Sequence, residues 1–113
     1  MIFLSSYGWR TNVNIKDIKD RILNGEYEFR KHALERASSR GINPFEIKEA
    51  LLEGEIIESY PDDPRGSSCL IYGKSRKGKN LHIVCGLAHN IVWIITAYEP
   101  SEKEWINYRR RRE

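Results

Sequence analysis

Sulfur is scarce in this chain. Only Cys69 and Cys85 occur among 113 residues, and no Cys-x-x-Cys pair is present. That is too little for a disulfide scaffold, and the usual structural zinc motif is missing. Long apolar runs are lacking as well. No stretch approaches the roughly 20 residues that a membrane helix needs, and Met1 to Leu4 is too short an apolar run for a secretory signal. A soluble, cytoplasmic protein with no contact with a membrane is therefore expected. No internal repeat is found, and the only low-complexity segment is the run of arginines at 109–112. Hydrophobic residues make up 40% and charged residues 31%, enough apolar surface for a core and too much for a disordered linker. The length fits a single domain, 1–113, and is too short for two independent cores.

Net charge is +3, which by itself selects no partner, but the charge is unevenly placed. Residues 1–60 carry a net −1 and residues 61–113 a net +4. The basic half holds two clusters, Lys74, Arg76, Lys77 and Lys79, then Arg109 to Arg112. Taken singly, the first reads as a solvated hairpin tip and the second as a basic tail over 107–113; together they can form a phosphate-attracting surface.

The hydrophobic period changes from helical to alternating near Glu55. Ile15, Ile18 and Ile22 recur at helical spacing behind an Asn14 cap and before Gly25. A second helix is expected over Lys31 to Arg40, ended by Gly41, with Ala33, Leu34 and Ala37 forming a narrow apolar stripe and Phe29 in an extended lead-in. The third has Asn43, Pro44 and Glu46 in a capping-box arrangement and ends at Gly54. Strands follow at Glu55 to Tyr60, Ser68 to Lys74, Leu81 to Leu87 and Ile91 to Tyr98, separated by turn-rich pieces. The pattern predicts an α+β domain in which three short N-terminal helices pack on one face of a four-stranded antiparallel β-meander.

Leu81, Ile83, Cys85 and Leu87 form the apolar face of one strand and are expected under the helices, which turns His82 to the other, uncovered face. With a three-residue loop at Ala88 to Asn90, His82 faces Thr96, with Tyr98 diagonal to it. The same counting through the preceding hairpin sets Tyr72 beside His82 and Cys69 opposite Cys85. A polar ring within an apolar strand needs hydrogen-bond partners, so His82 reads either as a satisfied structural histidine or as an acid-base group. His32, Arg36 and Arg40 recur every four residues and form a basic edge beside the sheet, suited to acid-base work next to a phosphodiester. The structural alternative pairs Arg36 with a surface carboxylate. Tyr60 and Tyr98 end their strands and can hold their hydroxyls at a cleft rim. Trp93 reads as core, Trp9 and Trp105 as docking anchors for the termini, and His89 as a turn residue.

The run His32-Ala-Leu-Glu-Arg36-x-x-x-Arg40-Gly41, the Ala50-Leu51-x-x-Gly54 pattern, Glu58-x-Tyr60-Pro61-x-Asp63, Leu81-His82-Ile83-Val84 and Ile95-Thr96-Ala97-Tyr98-Glu99-Pro100, with Trp105 beyond, resemble a small bacterial family, the domain of unknown function 4258. The resemblance covers roughly residues 27–106, leaving an N-terminal extension at 1–13 and the basic tail outside it. It implies a toxin-like ribonuclease fold akin to the RelE and barnase-like superfamily, and a neighbouring small antitoxin with a zinc-binding Cys-x-x-Cys finger. The expected activity is that of a toxin from a type II toxin-antitoxin system, an endoribonuclease that uses no metal or other cofactor and directs the ribose 2′-hydroxyl of mRNA at the adjacent phosphate. His82 and His32 would share the acid and base roles, Tyr98 and Thr96 would orient His82, and Arg36 with Lys74 would stabilise the phosphate. Arg40, Tyr60, Arg76 and Lys77 would contact the substrate. The alternatives are a non-catalytic module that binds RNA or protein on the same basic face, and a metal site on His32 and His82, for which no third ligand is evident.

Overall fold

In the computed structural model, residues 13–113 are described. The extension expected over 1–13 and the anchor at Trp9 lie, Val13 apart, outside the described residues. The first helix, α1 (Ile15–Leu23), is capped by Asn14, whose side chain accepts from the amides of Lys16 and Asp17, and it buries Ile18 and Ile22. A short strand, β1 (Tyr27–Phe29), leads into α2 (Ala33–Ser39), which presents Ala33 and Ala37 to the interior, while Leu34, expected beside them, is exposed because the helix packs through its two alanines. Next comes α3 (Pro44–Glu53). Asn43 accepts from the Glu46 amide, and the Glu46 side chain accepts in return from the Asn43 amide, so the capping box forms as its spacing predicts.

Four longer strands follow: β2 (Glu55–Tyr60), β3 (Ser68–Lys74), β4 (Asn80–Ala88) and β5 (Ile91–Tyr98). They pair antiparallel in sequence. The sheet is nevertheless five-stranded and mixed, in the order β1-β5-β4-β3-β2, because β1 joins the outer edge of β5 in parallel, with Glu28 opposite Trp93. The four-stranded antiparallel meander is thus corrected. Tyr27 and Phe29 alternate with Glu28 and pack against the core, so what reads as a lead-in is a strand; three residues are too few for a period to declare itself.

The helices cover one face. Ile18, Ile22, Ala37, Ile47, Ala50 and Leu51 meet Ile71, Leu81, Ile83, Cys85, Val92 and Ile94 in one buried cluster. Contact between α3 and β3 is so close that a Cβ on Gly73 would lie 1.9 Å from the Ala50 carbonyl oxygen. Gly54 is also confined, since a Cβ there would lie 2.5 Å from the Ile71 side chain; glycine stands at the end of α3 for lack of room, and its backbone is extended rather than left-handed.

The opposite face is not open, as the sequence had suggested. Residues 105–111 form a small antiparallel hairpin, β6 (Trp105–Ile106) with β7 (Arg110–Arg111), turned at Asn107 and Tyr108 in the left-handed region. Two ion pairs bring it onto the sheet, Arg109 to Glu55 at 2.9 Å and Arg111 to Glu58 at 2.8 Å. The basic tail is therefore a folded element, two of whose arginines, Arg109 and Arg111, meet carboxylates of the edge strand. No helix among the described residues is long and apolar enough to cross a membrane.

Candidate functional site beneath the C-terminal hairpin

The register of the β4–β5 hairpin decides which side chains share a face. The turn has two residues, His89 and Asn90, with φ of 55° and 64°, the geometry of a type I′ turn. A two-residue turn shifts the predicted pairing by one place and would move His82 away from Tyr98 on the sheet. A bulge between Val84 and Cys85 on one side and Thr96 and Ile94 on the other adds the missing residue, so His82 stands directly opposite Tyr98 and Val84 opposite Thr96. His82, Thr96 and Tyr98 therefore do share a face, although Tyr98 rather than Thr96 is the direct partner. Tyr72 lies opposite His82, and Cys69 opposite Cys85, across β3–β4.

His82 is completely enclosed. Its Nε2 lies 2.5 Å from the Tyr108 carbonyl oxygen and its Nδ1 3.2 Å from the Tyr98 hydroxyl. A carbonyl only accepts, so Nε2 carries the hydrogen and Nδ1 accepts from Tyr98. The Trp105 ring meets the imidazole edge-on at 4.5 Å, with Tyr98 and Tyr72 on further edges at 5.3 and 6.1 Å. Burial pushes the imidazole below its ordinary range, against the opposing effects of the Tyr108 carbonyl and the Glu58 charge. The ring is neutral, satisfied on both nitrogens and closed off from solvent.

Accessible chemistry lies two strands away. Glu58 and Tyr60 of β2 point to the same face as His82 through β3. The Tyr60 hydroxyl donates to Glu58, and Arg111 donates to both oxygens of that carboxylate, at 2.8 and 3.1 Å. Burial raises the Glu58 pKa, but the hydrogen bonds from Arg111 and Tyr60 outweigh it and hold the group below its usual range. Tyr60 is pushed up to about 12, by burial first and then by the adjacent carboxylate. Arg111 also stands over the Trp105 ring at 4.7 Å, and Arg109 over Tyr72 at 4.7 Å, with Tyr72 and Tyr108 stacked.

The remaining expected site residues disperse. His32 is exposed at the start of α2 and pairs with Glu35 at 3.2 Å. The Arg36 guanidinium is exposed, with no side-chain partner among the described residues. Arg40 reaches the edge of β5, donating to the Ala97 carbonyl at 2.9 Å and lying 3.4 Å from the Thr96 hydroxyl. Lys74 and Arg76 line a cleft of about 480 Å³ at the far end of β3, shared with Glu49 and Glu53. Arg76 is engaged with Glu49 there, so the cleft is of mixed charge. Lys77 is exposed at the hairpin tip, and Lys79 is spent in a tie to Glu46 and to the Gly41 carbonyl.

Trp93, read as core, is paired with Gly86 and lies on the face away from the helices, half-buried, with the Arg30 guanidinium 4.9 Å over its ring. Trp105 does dock, at 3% exposure. Reading the sequence missed Glu58, Arg111 and Tyr108 as members of the His82 neighbourhood. The usable signal was no more than charge of opposite sign in two segments, Glu55 and Glu58 in one and Arg109 and Arg111 in the other, and the two glutamates share a face only through the bulge between Ile56 and Glu58.

Residues 29–99 match the family model described as domain of unknown function (DUF4258). More than half of the chain is covered, and the protein belongs to that family. No curated protein and no solved structure matches it.

Proposed function

We propose that this protein is an endoribonuclease of the toxin type, cleaving single-stranded RNA through attack of the ribose 2′-hydroxyl on the adjacent phosphate, and that a small antitoxin protein holds it in check. The observation that carries the reading is the Glu58–Tyr60–Arg111 cluster. A carboxylate kept ionised lies within hydrogen-bond reach of a guanidinium on a partly exposed face. Glu58 takes the 2′-hydroxyl proton, and Arg111 stabilises the charge that builds on the phosphate oxygens. The Tyr60 phenol orients the carboxylate. The 5′-oxygen leaves with a proton from solvent, and a 2′,3′-cyclic phosphate remains on the upstream fragment. His82, which no substrate reaches in this arrangement, is a positioning residue that holds Tyr98 and the C-terminal hairpin.

The test is incubation of the purified full-length chain with end-labelled RNA, followed by analysis of the fragment ends. Cleavage to cyclic phosphate is expected, with Glu58→Gln reducing the rate on the order of 10²-fold or more while the protein stays folded. Normal cleavage by Glu58→Gln would reject the assignment. A second reading is a non-catalytic RNA-binding module, favoured by the enclosure of His82 with both ring nitrogens engaged. Binding of RNA that is left intact by the native chain would decide for it.

A further inference from the structure

The edge of the sheet where β1 and α2 flank β5 carries a cationic surface that the cluster around Glu58 does not use. Between residues 28 and 40 stand Arg30, Lys31, Arg36 and Arg40 against Glu28 and Glu35, and Glu35 is engaged with His32. Two of these cations are placed by the sheet. The Arg30 amide donates to the Ile94 carbonyl, which sets its guanidinium over the Trp93 indole. Arg40, two helical turns beyond His32, is fixed to Thr96 and Ala97. Since α2 begins beside Ile94 and ends beside Ala97, Arg36 falls between these two anchors, on the same side of the helix as Arg40. Trp93 and Thr96 are three residues apart on β5, about 10 Å, and both lie on the face of His82.

We infer that this edge is a track for a single RNA strand, in which the Arg30–Trp93 stack takes a nucleobase and Arg36, with the Thr96 hydroxyl, takes a backbone phosphate. The inference rests on the reading of the protein as acting on RNA. One property selects a single strand and two select its phosphate. The stacked indole and guanidinium offer a flat π surface, which every unpaired base matches and a duplex hides. The Arg36 guanidinium has no carboxylate partner among the described residues, so binding a phosphate breaks no internal ion pair. The Thr96 oxygen accepts from Arg40, which leaves its hydrogen to donate outward.

The probe is fluorescently labelled 2′-O-methyl RNA, which lacks the nucleophile and so separates binding from cleavage. Native protein is expected to bind it and to bind the same sequence as a duplex more weakly. Trp93→Leu should weaken single-strand binding by about 5-fold or more, and Trp93→Phe, which keeps a stacking ring, should retain most of it. Arg36→Ala should lower the slope of log affinity against log salt by about 0.7. Circular dichroism confirms that each variant is folded. If native protein binds while Trp93→Leu and Arg36→Ala bind equally well, or if the duplex binds as tightly as the single strand, the track is overturned and the ribonuclease reading stands. If native protein neither binds this probe nor cleaves ordinary RNA, the ribonuclease reading itself fails, and the track with it.

Discussion

Replacing His82 by leucine isolates the work that the buried imidazole does for the C-terminal hairpin. Leucine has nearly the same volume and keeps the strand apolar, but it removes the donor to the Tyr108 carbonyl and the acceptor for Tyr98. Leaving the carbonyl without its donor costs about 1–3 kcal/mol. Losing the edge-on contact with Trp105 costs a further ~1 kcal/mol. Leucine returns about 1 kcal/mol through its greater apolar burial. A net loss of about 1–3 kcal/mol remains, and for a chain of this size each kcal/mol lowers Tm by about 4 °C, so a drop of roughly 4–12 °C is expected by circular dichroism. The loss should be concentrated in the hairpin, making Arg109 to Arg112 more sensitive to brief trypsin treatment. The pH dependence follows in sign. The folded state holds His82 below its ordinary value of 6.5, so between its folded and unfolded pKa values the unfolded chain binds more protons than the fold does. Stability from this group is complete above about pH 6.5 and falls as the pH drops below that value toward the folded pKa. His82→Leu should lack that acid-side loss. A variant with unchanged Tm and trypsin pattern, or one that keeps the same acid-side loss, would refute the reasoning.

Arg111→Ala should let the Glu58 pKa rise, which carboxyl NMR titration reads directly; because Arg111 is largely exposed, the cost in stability should stay within about 1 kcal/mol. Gly73→Ala should destabilise by on the order of 3 kcal/mol, since its Cβ would collide with the Ala50 carbonyl; urea unfolding checks this, and a cost below about 1 kcal/mol would show that α3 can move. Asn43→Ala removes the capping oxygen from the Glu46 amide and should cost about 1 kcal/mol, with Asn43→Asp retaining most of the stability.

Helix ends and long strands were legible because each is decided locally. Asn14 and Asn43 cap, and alternation from Glu55 onward marks the strands to within one residue. The face of His82 was also legible, but for a reason the alternation does not contain. The turn at His89 and Asn90 is one residue shorter than expected, and the bulge at Ile95 compensates. Two displacements cancel, and Trp93, which lies on the turn side of the bulge, shows what happens where they do not: its face is opposite to the one expected. The parallel pairing of β1 was illegible because Tyr27 to Phe29 is too short to carry a period and its partner lies more than sixty positions away. Likewise, nothing local in 105–111 says that two arginines will find Glu55 and Glu58.

These failures share a cause that bears on function. The family match ends at Glu99, and within it the sheet alone brings Glu58, Tyr60, Tyr72, His82 and Tyr98 onto one face. What closes that face, Trp105, Tyr108, Arg109 and Arg111, comes from beyond the match and is joined to it by two ion pairs, one carbonyl and three aromatic contacts. The matched segment therefore supplies the acid-base groups, and the following hairpin determines which of them meet solvent. Reading His82 as a catalytic group took its chemistry from the first and its accessibility from an uncovered sheet. With the second restored, the same imidazole becomes the pin between the two, and in the proposed function the reactive role passes to Glu58, where a carboxylate of the sheet meets a cation of the hairpin.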